Sequence, residues 1–215
     1  EYQSGQPKFG ELLAKWGARG LPDATFSVVD VIEGAALPEL NAFDGYILSG
    51  SDKGVYDDTP WMEPLREWLV AAKAAGKPLF GVCFGHQILA QALGGKVEKF
   101  SGGWSVGPVA YESPLLGSQK IIAWHQDQVT QRPEMATVVG SSDFCENAIL
   151  VYGDQALTIQ PHPEFTADFM GDLLAARGKN LPQHIQDSAV AAKDDPLTRD
   201  SFADTVEAFF KKQRS

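Results

Sequence analysis

Three residue types able to carry nucleophilic acyl chemistry stand out by what flanks them: a cysteine between glycines, and a histidine and a glutamate set among prolines. Cys83 lies in Gly81-Val82-Cys83-Phe84-Gly85, the thiol counterpart of the G-x-S-x-G nucleophile elbow. A thiol at such a turn can attack a carbonyl carbon once deprotonated. The second group is Pro161-His162-Pro163-Glu164. Each proline fixes its own φ and biases the residue before it away from the helix, so the segment is expected to be extended at the end of a strand. Residues i and i+2 of an extended chain face the same side, which puts the Glu164 carboxylate beside the His162 imidazole as base and orienting acid.

The elements around Cys83 are legible. Leu79, Phe80 and Val82 follow Pro78 as an apolar run too short for a helix, suited to a buried strand of a parallel sheet. After Cys83 the period changes: Phe84, Ile88, Leu89, Ala92 and Leu93 recur at three and four residues, and Gly94-Gly95 supplies the stop. The sulfur therefore falls at the first turn of a helix, where unpaired N–H groups and the positive end of the dipole favour thiolate over thiol. Taken alone, the motif also admits a buried cysteine with incidental glycines, and His-Pro-Glu alone admits a solvated turn.

The run Gly81-Val82-Cys83-Phe84-Gly85-His86-Gln87 resembles the nucleophile segment of class I glutamine amidotransferase domains, and Cys83, His162 and Glu164 occur in the order of that family's triad. The resemblance covers roughly residues 40–170. It implies that Cys83 attacks a γ-glutamyl amide while His162 carries protons and Glu164 orients it. It implies an oxyanion hole from backbone N–H groups of Gly50 or Ser51 and of Phe84. The family loop is commonly Ser-Gly-Gly, whereas here it reads Ser49-Gly50-Ser51, a departure that a backbone donor tolerates. Gln87 matches a family position that touches the substrate glutamine, and the loop Ser101-Gly102-Gly103-Trp104-Ser105 matches the region that holds the α-amino and α-carboxylate groups, hence Trp104 and Ser105. A glycine-rich turn with a packed tryptophan reads equally well there.

Two further residues compete for roles. His125, in Trp124-His125-Gln126-Asp127, resembles the His-x-Asp segment of several amidotransferases and is the alternative base, expected at a strand end. Cys145 lacks flanking glycines and a following helix, and is expected to be an inert thiol.

In chain order, residues 8–19 read as a helix with Phe9, Leu12, Leu13 and Trp16 on one face, residues 25–31 and 46–50 as strands, and residues 61–75 as an amphipathic crossover helix. Strand, helix, strand argues for an α/β fold with a largely parallel central sheet and helices on both faces. Short segments follow at residues 96–100, 106–111, 120–124, 137–139, 148–152 and 157–160, making the second half β-rich. Residues 166–215 read as largely helical, with a break at Asp194-Asp195-Pro196. An amidotransferase domain opens with a strand before its first helix; none is legible before Phe9, so the natural N-terminus is expected to lie further upstream.

The chain of 215 residues, 44% hydrophobic and 21% charged, suits one domain over its whole length with a helical tail. A net charge of -10 disfavours nucleic acid and anionic membrane surfaces as partners. No apolar run approaches the roughly 18 residues of a membrane span and no signal-peptide pattern is visible, so a cytoplasmic location is expected. No P-loop or C-x-x-C pair suggests a nucleotide or metal cofactor. With no synthetase domain to use ammonia, the chain looks like a free-standing γ-glutamyl hydrolase or peptidase. A glutaminase subunit serving a separate synthetase and a non-enzymatic binding or regulatory domain remain as alternatives. An intact nucleophile, base and acid argue against the second.

Overall fold

The computed structural model describes residues 8–213. The expectation about a strand ahead of the first helix, and the last two residues of the expected helical tail, fall outside them. The elements are α1 (Phe9–Gly20), β1 (Tyr46–Leu48), α2 (Met62–Ala74), β2 (Leu79–Val82), α3 (Phe84–Ala92), β3 (Lys96–Lys99), β4 (Ser105–Tyr111), β5 (Gln119–His125), β6 (Asp127–Gln131), β7 (Thr137–Gly140), β8 (Ile149–Tyr152), β9 (Ala156–Ile159), α4 (Ala167–Arg177), α5 (Gln183–Ala191) and α6 (Arg199–Lys212).

Five strands form the central sheet in the order β1-β2-β9-β8-β7. β1, β2 and β9 run parallel, because α2 returns the chain to the same end of the sheet before β2 begins. β8 and β9 are antiparallel, since only the short turn through Gly153, at φ 62°, separates them. β7 is antiparallel to β8 as well. The sheet is thus parallel on the side that carries the elbow and antiparallel beyond it. The β-rich half is completed by two antiparallel ribbons, β3 with β6 and β4 with β5.

Alternation along the strands explains why helices cover both faces. Leu79, Leu150, Tyr152 and Ala156 point into a core with Leu65 and Leu69 of α2 and Ile88 and Leu89 of α3. Their neighbours Phe80, Val82, Ile149, Leu157 and Ile159 point the other way, onto Leu13 and Trp16 of α1 and Phe202 and Val206 of α6. Successive strand residues face opposite sides of a sheet, so each strand feeds two cores.

Residues 25–31 are not a strand. Their β-branched and aromatic composition suits an extended chain, but a strand exists only when a neighbour accepts its backbone hydrogen bonds, and no such pairing is found among the described residues. Between this segment and β1 lies a cleft of about 700 Å³ lined by Phe26, Val28, Val29, Tyr46, Ile47 and Leu48. β6 is the converse. Asp127-Gln-Val-Thr-Gln131 has little apolar content, and its strand character comes from pairing with β3. Among the described residues no helix is long and apolar enough to cross a membrane.

Candidate active site

The elbow is built by close approach. A Cβ at Gly81 would stand 2.7 Å from the Gly85 carbonyl oxygen, and one at Gly85 would collide with that of Leu48. Any side chain would push α3 off β1 and β2. Cys83 takes φ 50° and ψ -103°, the only positive φ of a non-glycine residue among those described. Such a conformation costs about 1–3 kcal/mol and persists only when its surroundings over-determine it. They do so here. The Cys83 N–H donates to Ile159 O at 2.9 Å, the Gly85 N–H to Ser49 O at 3.1 Å, and the Gln87 N–H closes the first helical turn on Cys83 O at 3.0 Å.

His162 arrives from the neighbouring strand. After β9 the chain crosses to β5, where the His162 N–H donates to Ile122 O at 2.8 Å. The extended geometry expected through Glu164 ends at His162: the Phe165 N–H donates to His162 O at 3.2 Å, closing a turn. That turn, rather than strand alternation, brings Glu164 Oε1 to 2.7 Å from His162 Nδ1. Both side chains are buried, and Phe165 stacks flat on the imidazole with centroids 4.0 Å apart and planes 8° apart. Arg199, at the start of α6, locks the turn from behind, its Nε donating to Pro163 O at 2.9 Å and its Nη2 to Glu164 O at 3.2 Å.

Burial works against a charged His162, but the Glu164 carboxylate and then Cys83, acting as a charge and as a hydrogen-bond partner, outweigh it and raise the imidazole to about 10. The other two buried histidines go the opposite way. Desolvation pushes both His86 and His125 down to about 3. His86 Nδ1 meets Thr158 Oγ1 at 2.8 Å, and His125 Nδ1 meets the Asp127 carbonyl at 3.2 Å. His125, on the last residue of β5 as expected, is a neutral ring fixed by backbone. Burial likewise pushes the Cys145 thiol up to about 12.

These opposite shifts set a pH signature for folding. His86 and His125 bind protons readily only when unfolded, so stability should fall as pH drops below about 6.5, by up to about 1.4 kcal/mol per pH unit for each ring. His162 holds its proton more tightly when folded, so its contribution is complete below 6.5 and is lost as pH rises toward 10. Denaturant melts from pH 5 to 9 should therefore peak near the ordinary histidine range. Stability that is flat from pH 6.5 down to pH 5 would contradict the burial of two neutral rings.

Around Cys83 the other sequence-predicted residues are distributed unevenly. The loop Ser49-Gly50-Ser51 lies against the imidazole, since a Cβ on Gly50 would be 3.0 Å from His162 Cε1. Phe84 heads α3, and its N–H has no acceptor within the helix. These are the positions from which N–H groups could face an oxyanion. Gln87 is different. It is buried, and its Nε2 donates to Asp127 O at 2.9 Å and Gln160 Oε1 at 3.1 Å, so its amide hydrogens are committed inside the protein. Ser105 is buried at the start of β4 and pairs with His125. Trp104 is half-buried just before it.

Three residues at the site escaped the sequence. Phe165 and Gln160 flank the His-Pro-Glu turn, and Gln160 Nε2 lies 3.6 Å from Cys83 Sγ; its place two residues before His162 was the available signal. Arg199 had none, as its partners are backbone carbonyls 35 and 36 residues away.

A strained cysteine elbow on a parallel strand, with a buried His–Glu pair on the adjacent strand end, defines an α/β protein of the cysteine acyl-transfer class. The Glutamine amidotransferase class-I family matches residues 23–178, and the chain belongs to it. Gamma-glutamyl peptidase 5 of Arabidopsis thaliana is 32% identical over 198 residues, covering 86% of this chain and 78% of its own length. Gamma-glutamyl peptidase 3 of the same plant is 29% identical over 200 residues, covering 84% and 79%. The crystal structure of a glutamine amidotransferase from Methylobacillus flagellatus superposes with a TM-score of 0.81 at 24% identity, covering 99% of this chain and 92% of that one, a likeness of fold.

Proposed function

We propose that this protein hydrolyses a γ-glutamyl amide or γ-glutamyl peptide bond through a thioester on Cys83, with His162 and Glu164 completing a triad. The carrying observation is the Glu164–His162 contact of 2.7 Å on a buried imidazole whose charged form is favoured by that carboxylate and by Cys83. The Cys83 sulfur attacks the γ-carbonyl carbon, and the oxyanion that forms is met by the N–H of Phe84 and that of Gly50 or Ser51. His162 gives its proton to the departing amine as the C–N bond breaks, leaving a γ-glutamyl thioester. The ring then takes a proton from water, whose oxygen attacks the thioester carbon; the C–S bond breaks, the acid leaves and the thiolate returns. Glu164 keeps Nδ1 protonated so that Nε2 faces the reaction.

The names of the relatives at about 30% identity favour a γ-glutamyl peptide over glutamine itself. Trp104 and Ser105 are proposed to bind the substrate's α-amino and α-carboxylate groups; Gln87 supports the nucleophile from behind. The reading takes the chain as one domain through α6, consistent with Arg199 of that helix reaching the His-Pro-Glu turn. It puts the protein in the cytoplasm, where the free thiols of Cys83 and Cys145 stay reduced.

The experiment is a panel of glutamine, γ-glutamyl amides and γ-glutamyl dipeptides, each assayed for released glutamate with the purified chain alone. At least one γ-glutamyl dipeptide should be turned over. If every member were inert until a separate synthetase was added, the chain would instead be a glutaminase subunit.

A further inference from the structure

Gln160 is fully buried between β9 and His162, at a position the hydrolytic scheme leaves unused. Its side-chain amide bridges Cys83 Sγ, 3.6 Å from Nε2, and Gln87, whose Nε2 is 3.1 Å from its Oε1. A separation of 3.6 Å is within reach of sulfur, whose radius exceeds that of oxygen.

Which end of the Gln160 amide faces the sulfur follows from its neighbours. The Asp127 backbone carbonyl can only accept a hydrogen bond, so the Gln87 atom 2.9 Å from it must be the NH₂ nitrogen. That same nitrogen faces Gln160 and can only donate, so the Gln160 atom opposite it must be oxygen. The remaining end, facing Cys83, is then NH₂. A fixed backbone carbonyl on β6 thus determines, through two buried amides, that the nucleophile meets a donor.

We propose that Gln160 is a catalytic residue whose amide N–H holds the Cys83 sulfur and stabilises its negative charge, and that Gln87 is a positioning residue that keeps this amide from flipping. The bond is strongest when charge sits on sulfur: in the nucleophile before attack and in the leaving group when the thioester breaks. It weakens in the thioester itself. The inference builds on Cys83 as the nucleophile but not on which acyl group it accepts.

The test therefore uses thiol reactivity instead of turnover. Iodoacetamide alkylation of Cys83 is timed at pH 7 in a Cys145→Ser background, with circular dichroism and melting temperature recorded for every variant. Gln160→Leu should alkylate about tenfold more slowly, the loss expected for one hydrogen bond to a charged acceptor. Gln160→Glu keeps the shape and can still accept from Gln87, but turns oxygen toward sulfur; it should lose at least as much and carries the test if the leucine variant does not fold. Gln87→Leu leaves Gln160 free to flip, halving the donor population, and should slow alkylation about twofold. Folded Gln160 variants that alkylate within about twofold of the parent, where a hydrogen bond to charge should cost more, would overturn the proposal. A panel without any γ-glutamyl substrate would leave these rates unaltered, so the two readings fail separately.

Discussion

Replacing Cys83 with alanine should reduce turnover of the best γ-glutamyl substrate to background, a loss of more than about 10⁴-fold by analogy with removal of the nucleophile from a catalytic triad. The fold should survive it. Alanine loses the strained φ of 50° no more easily than cysteine does, but it removes only one sulfur from a core otherwise set by Phe80, Val82 and Ile159. Cys145→Ser is the matched control. Its thiol is buried and pushed up to about 12, so it has no thiolate at neutral pH, and kcat should be nearly intact although a buried hydroxyl lowers the melting temperature. Peptide mapping after limited iodoacetamide treatment should find label on Cys83 alone.

The second large effect separates His162 from Glu164. In the proposed mechanism His162 moves the proton in both half-reactions, whereas Glu164 fixes the ring and stabilises its charge. Glu164→Gln should cost on the order of 10 to 10³ in kcat, below the roughly 10⁴ seen when the orienting acid of a serine triad is neutralised, because a thiolate depends less on a proton acceptor than an alcohol does. His162→Ala should cost more. That variant strands a carboxylate whose Oε2 already has no hydrogen-bond partner among the described residues, and an unpaired buried charge costs about 3–5 kcal/mol. His162→Gln is the sharper probe, since its amide can still donate to Glu164 Oε1 while offering no base. A folded His162→Gln enzyme as active as the parent, or Glu164→Gln as inactive as His162→Ala, would contradict this division of labour.

The parts of the site legible from the sequence are those that chain geometry dictates locally. Gly81 and Gly85 mark a close approach that no side chain survives, and the change from apolar run to helical period at Cys83 marks a strand becoming a helix. Pro161 and Pro163 announced a restrained segment, although the device that sets Glu164 beside His162 is a turn and not alternation. What stayed hidden depends on partners far along the chain. Residues 25–31 look like a strand but pair with no neighbour among the described residues, while polar Asp127–Gln131 is a strand because β3 pairs with it. Arg199 acts through main-chain carbonyls, which leave no trace in residue types. Gln87 reads from its position in the elbow helix as a substrate contact, and the inward hydrogen bonds of its Nε2 to Asp127 and Gln160 are a pairing that the motif does not disclose.

The central claim is that a γ-glutamyl group is carried on Cys83. Rapid-quench mass spectrometry of Glu164→Gln mixed with its best γ-glutamyl substrate tests it most directly, because that variant should slow thioester hydrolysis enough for the intermediate to accumulate. The expected result is one γ-glutamyl mass on the peptide containing Cys83, formed before product appears and removed by hydroxylamine. The same mass on the Cys145 peptide, or steady turnover with no adduct at any time point, would contradict the account.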